Sequence, residues 1–406
     1  MSAALSKGRE WLVIIALLSL NIVEQSASVV NATIPGMAKS FPQESLVHIE
    51  LVTTIVSVFV TIFVLVSGAV VKQIGQKKTA ILGLAIASVA SIIPAVANQF
   101  AVVLISRAIL GIGIGLANPL AISMIGVFFY GDKRARLMGW RSAIAGIGTA
   151  IMTYVAGKLL VFGWHAAYWA YLLFIPTLIL FIFFVPDPEK TGALARQEAE
   201  QAKERAAAAK AGHAMKTDSV GLIIVYTLLI FLLLIFTMVF AVKLPTFFVQ
   251  SHIGTATQAA TTWSIVNIAT VIGGFLFGPA YKLMRQYVLP ISIVLGGICI
   301  FLIGKSNSVL TIQVIAAVSG IASSLSIPYI FTRVSESTTP ARAPFFTSVV
   351  LVGSNLGSFL SPYGGKLLGA TAQQAVVNAG ISEIILALIL LVAIIIMKHT
   401  GSKAQI

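Results

Sequence analysis

Apolar residues come in stretches of roughly 17 to 30, broken by short polar intervals. They run at about 11–34, 50–71, 79–97, 100–129, 138–161 and 165–185, and resume at 220–245, 262–281, 288–304, 309–332, 344–369 and 376–397. About 20 apolar residues carry a helix across a bilayer core of about 30 Å. The pattern therefore predicts an all-α integral membrane fold with twelve spanning helices, six on either side of a pause. The halves are 1–186 and 220–406, joined by a polar segment, 187–219. Within that segment Arg196 to Lys210 is rich in Ala, Glu, Gln and Lys and is predicted helical, with Arg196/Glu200 and Gln201/Arg205 at helical spacing. It reads as a solvated linker. The least defined boundary is the end of the seventh stretch, where Pro245 either kinks or stops the helix.

Composition strengthens the membrane reading and removes others. The chain is 58% hydrophobic and only 10% charged, far from the roughly 25% charged residues of soluble domains. A net charge of +14 would suit nucleic acid, but the basic residues are distributed by side of the membrane. With the N-terminus inside, 21 of the 27 Lys and Arg residues fall on the cytoplasmic side, including Lys7, Arg9, Lys72, Lys133, Arg134, Lys282, Arg333 and those of the linker. That asymmetry places both termini in the cytoplasm of a multi-pass cell-membrane protein with no nucleic-acid partner. Lys39, Lys158, Lys305 and Lys366 then lie toward outer ends, while Arg107 and Lys243 lie within the membrane. The first apolar run is too long for a signal-peptide core and is read as a retained span. The single cysteine, Cys299, excludes an intrachain disulfide. His48, His165, His213, His252 and His399 sit in loops or at span ends, and no Gly-x-x-x-x-Gly-Lys-Ser/Thr loop occurs. Neither an enzyme, nor a metal or cofactor site, nor an ATP-driven pump is expected.

The polar residues inside the spans carry the candidate chemistry. Asn21, Glu24, Gln25, Ser28 and Asn31 are three or four apart in the first span, a spacing that predicts one polar stripe along a helix, with Glu24 near the midplane. A charge at that depth faces protein or water rather than lipid. Arg107 lies about eight residues inside the fourth span, Lys243 in the outer third of the seventh and Arg141 at the inner end of the fifth. Glu383, in the twelfth, is expected to make a structural hydrogen bond. Glu24 and Arg107 form the expected coupling group, either as an ion pair or as partners that a proton or an anion separates. Glu24 against three cations leaves an excess of positive charge, which favours an anionic cargo.

Landmarks recur at offsets of 208 to 210 residues. Gly157-Lys158-Leu159-Leu160 returns as Gly365-Lys366-Leu367-Leu368, Gly68 and Lys72 as Gly278 and Lys282, and Gly111-Ile112 as Gly320-Ile321. Repeats of this kind mark secondary transporters. The whole chain resembles the major facilitator superfamily. The run Leu104-Ile105-Ser106-Arg107-Ala108-Ile109-Leu110-Gly111-Ile112-Gly113-Ile114-Gly115 is similar to that family's fourth span, and Gly68 to Lys78 to its loop between spans two and three. Lys72 stands where the family usually has an aspartate. The ending Asn31-Ala32-Thr33-Ile34-Pro35 resembles drug-exporting branches, with Ser26 at their aspartate position, and the stretch Gly139 to Lys158 lacks the proline of the antiporter pattern.

This resemblance implies alternating access around a site between the halves, driven by a proton or counter-substrate gradient. The expected cargo is an amphipathic organic anion, bile-salt-like or an aryl carboxylate, moved by exchange or proton coupling; the alternative is a proton-driven multidrug efflux antiporter. The expected cargo contacts are Asn21, Gln25, Ser28, Arg107, Tyr154, Lys243, Trp263, Asn267, Tyr329 and Asn355, with Gly111, Pro119 and Pro328 at the gate. Met152, Phe236, Met238, Phe240, Phe331 and Tyr363 add a lining suited to a bulky cargo rather than a sugar. The protein is expected to work as a monomer in the lipid bilayer.

Overall fold

The computed structural model describes residues 7–194, 219–338 and 342–399, so the predicted helix Arg196–Lys210 lies outside the described residues. The described residues are helical, without strands. The first span, α1, opens as Lys7–Glu24 and continues through a 3-10 segment, Ser26–Thr33, into Ile34–Ser40. The next four are α2 (Leu46–Ile74), α3 (Gln76–Ile92), α4 (Phe100–Phe128) and α5 (Gly131–Leu159). Short turns from Trp164 lead into α6 (Phe174–Phe184). The second half holds α7 (Val220–Gln250), α8 (Ala256–Met284), α9 (Val288–Lys305), α10 (Val309–Glu336), α11 (Ala343–Leu368) and α12 (Ala372–His399). Among the described residues ten stretches are individually long and apolar enough to cross a bilayer, eleven with the bent first span, and one of them, Ala256–Lys305, contains both α8 and α9. The fold is therefore all-α, with twelve transmembrane helices in two six-helix pseudo-repeats. Pro245 does not end α7, which runs on to Gln250.

The repeat is visible in the packing. A Cβ on Gly111 of α4 would stand 2.6 Å from the Val56 carbonyl oxygen of α2, and one on Gly320 of α10 would stand 2.6 Å from the Val266 carbonyl oxygen of α8. Likewise Gly148 of α5 lies against Ile22 of α1, as Gly357 of α11 lies against Phe231 of α7. At Gly111 and Gly320 only glycine permits the approach to a backbone oxygen, so the same backbone contact has been kept at both ends of an offset near 209 residues, while Gly148 faces the Ile22 side chain where Gly357 faces the Phe231 carbonyl.

The chain divides into two compact units. One comprises 7–27, 55–152 and 168–194; the other comprises 28–54, 153–167 and 219–399. In the second unit the last parts of α1 and α5 and the first part of α2 are packed with the second-half helices.

The first span corrects one expectation. The stripe Asn21–Asn31 does not lie on a single helix, because the helix breaks at Gln25 and bends by 45°. Local chemistry explains the break. Ser26 Oγ donates to the Val23 carbonyl at 2.7 Å, while the carbonyls of Ser26 and Ala27 accept from Tyr171 Oη (2.8 Å) and Arg107 Nη2 (2.8 Å). Carbonyls captured by side chains need no amide four residues on, so a span can leave α geometry without stranding polar backbone in an apolar medium.

Candidate functional site

In the first unit the break in α1 separates two polar groups. On its near side Glu24 Oε2 accepts from Arg141 Nη2 of α5 at 2.5 Å, and Arg141 Nε donates to Asn21 Oδ1 at 2.6 Å. Asn21 is fully buried, its own amide nitrogen donating to the Leu17 and Leu18 carbonyls. Asn118 lies beside Glu24. Glu24 and Arg141 keep side-chain exposures of 13% and 19%, so this pair is reachable by water, unlike a core pair. Arg107 is fully buried. Its guanidinium donates to Tyr171 Oη at 3.1 Å and to the Ala27 carbonyl, and lies over the rings of Tyr168 and Tyr171. The acid expected opposite Arg107 is thus held by Arg141, and Arg107 instead caps the carbonyls that the break exposes. Gln25, at the break, is exposed.

In the second unit, segments from the first half of the sequence are sealed onto α7, α8 and α11. Asn31 Nδ2 donates to the Ala241 carbonyl of α7 at 3.2 Å, Thr257 Oγ1 of α8 to the Gly157 carbonyl at 2.9 Å, and Thr54 Oγ1 to the Phe359 carbonyl at 3.4 Å. Lys243 Nζ of α7 stands 2.8 Å from Glu50 Oε1 of α2, with side-chain exposures of 7% and 0%. A Cβ on Gly365 of α11 would come within 2.8 Å of Lys243 Cε, so the lysine stem is enclosed from that side too. Ser28, Asn31, Thr153, Pro245, Ala260 and Trp263 line a cavity of about 10 Å³ in this sealed end.

The sequence missed Glu50. It stands at the first residue of an apolar stretch and so reads as a boundary residue, whereas the helix begins at Leu46 and carries it one turn inward, against Lys243. A deep lysine without an acid nearby in sequence was the one signal available. Thr153 was likewise not singled out, whereas Asn31 belonged to the expected polar stripe of the first span though not to the expected cargo contacts. The charge count changes accordingly. Lys243 is matched by Glu50 and Arg141 by Glu24, and Arg107 is surrounded by carbonyl, phenol and ring groups. The cationic excess inferred from sequence is therefore largely cancelled.

The remaining expected contacts are scattered. Trp263 lines the cavity and meets Phe240 edge-on, and Ser28 lines it from α1. Tyr154 is 45% exposed and lies under Lys158. Asn267 donates to the carbonyl of its own helix at Trp263 (2.9 Å), and Asn355 is half-buried on α11. Tyr329 is buried in the second-half core against Tyr281. Gly111 is filled by α2, and Pro119 and Pro328 lie inside unbroken helices α4 and α10. Glu383 accepts from Thr237 Oγ1 of α7 at 2.9 Å, the structural hydrogen bond expected of it.

Known proteins supply the family. A multidrug transporter protein, MdtP of Bacillus subtilis, is 26% identical over 168 residues, which is 40% of this chain and 30% of that protein. The riboflavin transporter RibZ of Clostridioides difficile is 23% identical over 186 residues, 44% of this chain and 40% of its own length. These matches span well under half of either relative. Among solved structures, a D-xylose-proton symporter superposes with a TM-score of 0.72 at 15% identity, covering 94% of this chain and 97% of its own. A peptide transporter of the POT family gives 0.74 at 12%, covering 94% of each. At such identities the superpositions speak for the fold alone. The profile of the Major Facilitator Superfamily matches residues 16–282, which run from within α1 to within α8 and include the broken first span, the Arg107 segment and the sealed joint of α1 with α7; the chain belongs to that superfamily of transporters.

Proposed function

We propose that the chain is a secondary active transporter that exchanges protons for bulky amphipathic organic molecules, neutral or cationic, by alternating access of its halves, 1–186 and 220–406. The observation that carries this reading is the pairing of the deep charges. An anionic cargo needs a cation to meet it, and Lys243 and Arg141 are each engaged by an acid. Of those pairs, Glu24–Arg141 is the water-reachable one, and a carboxylate held by a guanidinium, itself anchored on the Asn21 amide oxygen, exchanges its proton according to whether that pair is intact. Proton uptake at Glu24 and the freeing of Arg141 are then one event. MdtP, a multidrug transporter by name, fits this cargo class. With both termini cytoplasmic, the sealed end of the second unit is the outer one.

The test is flux in proteoliposomes loaded at one pH and diluted into another. Lipophilic cations and neutral dyes are expected to move against an imposed proton gradient and to stop when an ionophore collapses it. Movement of labelled organic anions alone, unaffected by the ionophore, would overturn the proposal in favour of anion exchange.

A further inference from the structure

Pro245 lies inside α7, where it supplies no amide to the carbonyl four residues earlier. That carbonyl belongs to Ala241, and it is the one that Asn31 of α1 reaches with its side-chain amide. The proline thus creates an acceptor on the wall of α7, and the first span fills it. Beside this bond lies the cavity of about 10 Å³. Three of its lining residues carry a buried polar atom with no hydrogen-bonding partner among the described residues: Asn31 Oδ1, Thr153 Oγ1 and Trp263 Nε1. Their exposures are 4%, 2% and 8%. They come from three helices, α1, α5 and α8, and offer an acceptor, a hydroxyl and a donor.

We propose that this cavity is a binding site for one water molecule, and that the water, together with the Asn31–Ala241 bond, latches α1 and α5 against α7 and α8. The volume suits one molecule and no more, since a cavity needs about 10–15 Å³ of free space to admit the centre of one water. The chemistry suits it too. A water accepts from the Trp263 indole N–H, donates to Asn31 Oδ1 and shares its third hydrogen bond with the Thr153 hydroxyl, giving the three bonds typical of buried water. No charged side chain lines the cavity, so an ion would be left uncompensated there, whereas a neutral donor–acceptor is satisfied. The latch assembles only when the three helices and α7 meet, so the site exists in the sealed state and comes apart when that end opens.

The test uses the sign of one substitution. Spin labels at Lys39 and Asn307, both exposed, report the separation of α1 from the α9–α10 turn in the full-length chain in lipid nanodiscs. If water bridges the three groups, Thr153→Val removes one of its hydrogen bonds and raises the open-to-sealed ratio by about two- to tenfold, the value of one net hydrogen bond. If the cavity is dry, the same change relieves a buried unsatisfied hydroxyl and lowers that ratio. A lowered or unchanged ratio overturns the proposal. Should the variant fail to fold, a density map of the wild type in the sealed state at better than about 2 Å decides the matter. A peak within hydrogen-bonding distance of all three atoms is expected, and its absence overturns the site.

Discussion

Replacing Glu50 by glutamine tests how far the sealed end depends on one ion pair. Glutamine keeps the shape but leaves Lys243, 5% exposed, as a charge with no counter-charge. Removing one partner of a buried pair costs about 3–5 kcal/mol, mostly because the other charge remains desolvated. In the opened state water hydrates the ammonium and that cost vanishes, so the whole penalty falls on the sealed state. Glu50→Gln is therefore expected to raise the open-to-sealed ratio by two or more orders of magnitude. Spin-label distances between Lys39 and Asn307 in nanodiscs measure this directly. The double change Glu50→Gln with Lys243→Met removes both charges. Apolar replacement of a buried pair is commonly neutral or stabilising, so the double variant should return to the wild-type distances or become more firmly sealed. If the single change leaves the distribution unmoved, or the double variant opens as far as the single one, the pair is not what holds that end and the argument fails.

Three further outcomes follow from the geometry. Arg107→Lys should lower thermal stability by about 1–3 kcal/mol, because an ammonium cannot reach both the Ala27 carbonyl and Tyr171 and so leaves one of those buried groups without its donor; an unchanged melting temperature in detergent would show that the break in α1 does not rest on this residue. Glu24→Gln should abolish the response of flux to a pH gradient while leaving equilibrative exchange of cargo, so retention of gradient-driven accumulation in that variant removes Glu24 from coupling. Gly111→Ala and Gly320→Ala should each destabilise by about 1–3 kcal/mol, since a methyl would meet a backbone oxygen 2.6 Å away in both halves; strongly unequal losses would argue that the two halves do not pack alike.

The number and order of the spans were legible in the sequence, as was the doubling of the chain, because the bilayer fixes how many apolar residues a helix needs and the repeat retains glycines where helices touch; their ends were not, since α2 begins at Leu46 and α7 runs on to Gln250. Arg107, Lys243 and Glu24 stood out for the same reason, being charges where charges are expensive. Their partners did not. Glu24 meets Arg141 from 117 residues away and Lys243 meets an acid on another helix of the opposite half, and hydropathy contains nothing about which helix faces which. The break in α1 was hidden as well. Its residues keep an unbroken helical periodicity, and Arg107 and Tyr171, brought in by α4 and the turn before α6, are what let the backbone leave α geometry there. Sequence alone determined which residues enter the membrane, since that depends on each residue's transfer from water; the tertiary structure decided which of them neutralise one another, because hydrogen bonds and ion pairs depend on distances of a few ångströms between helices.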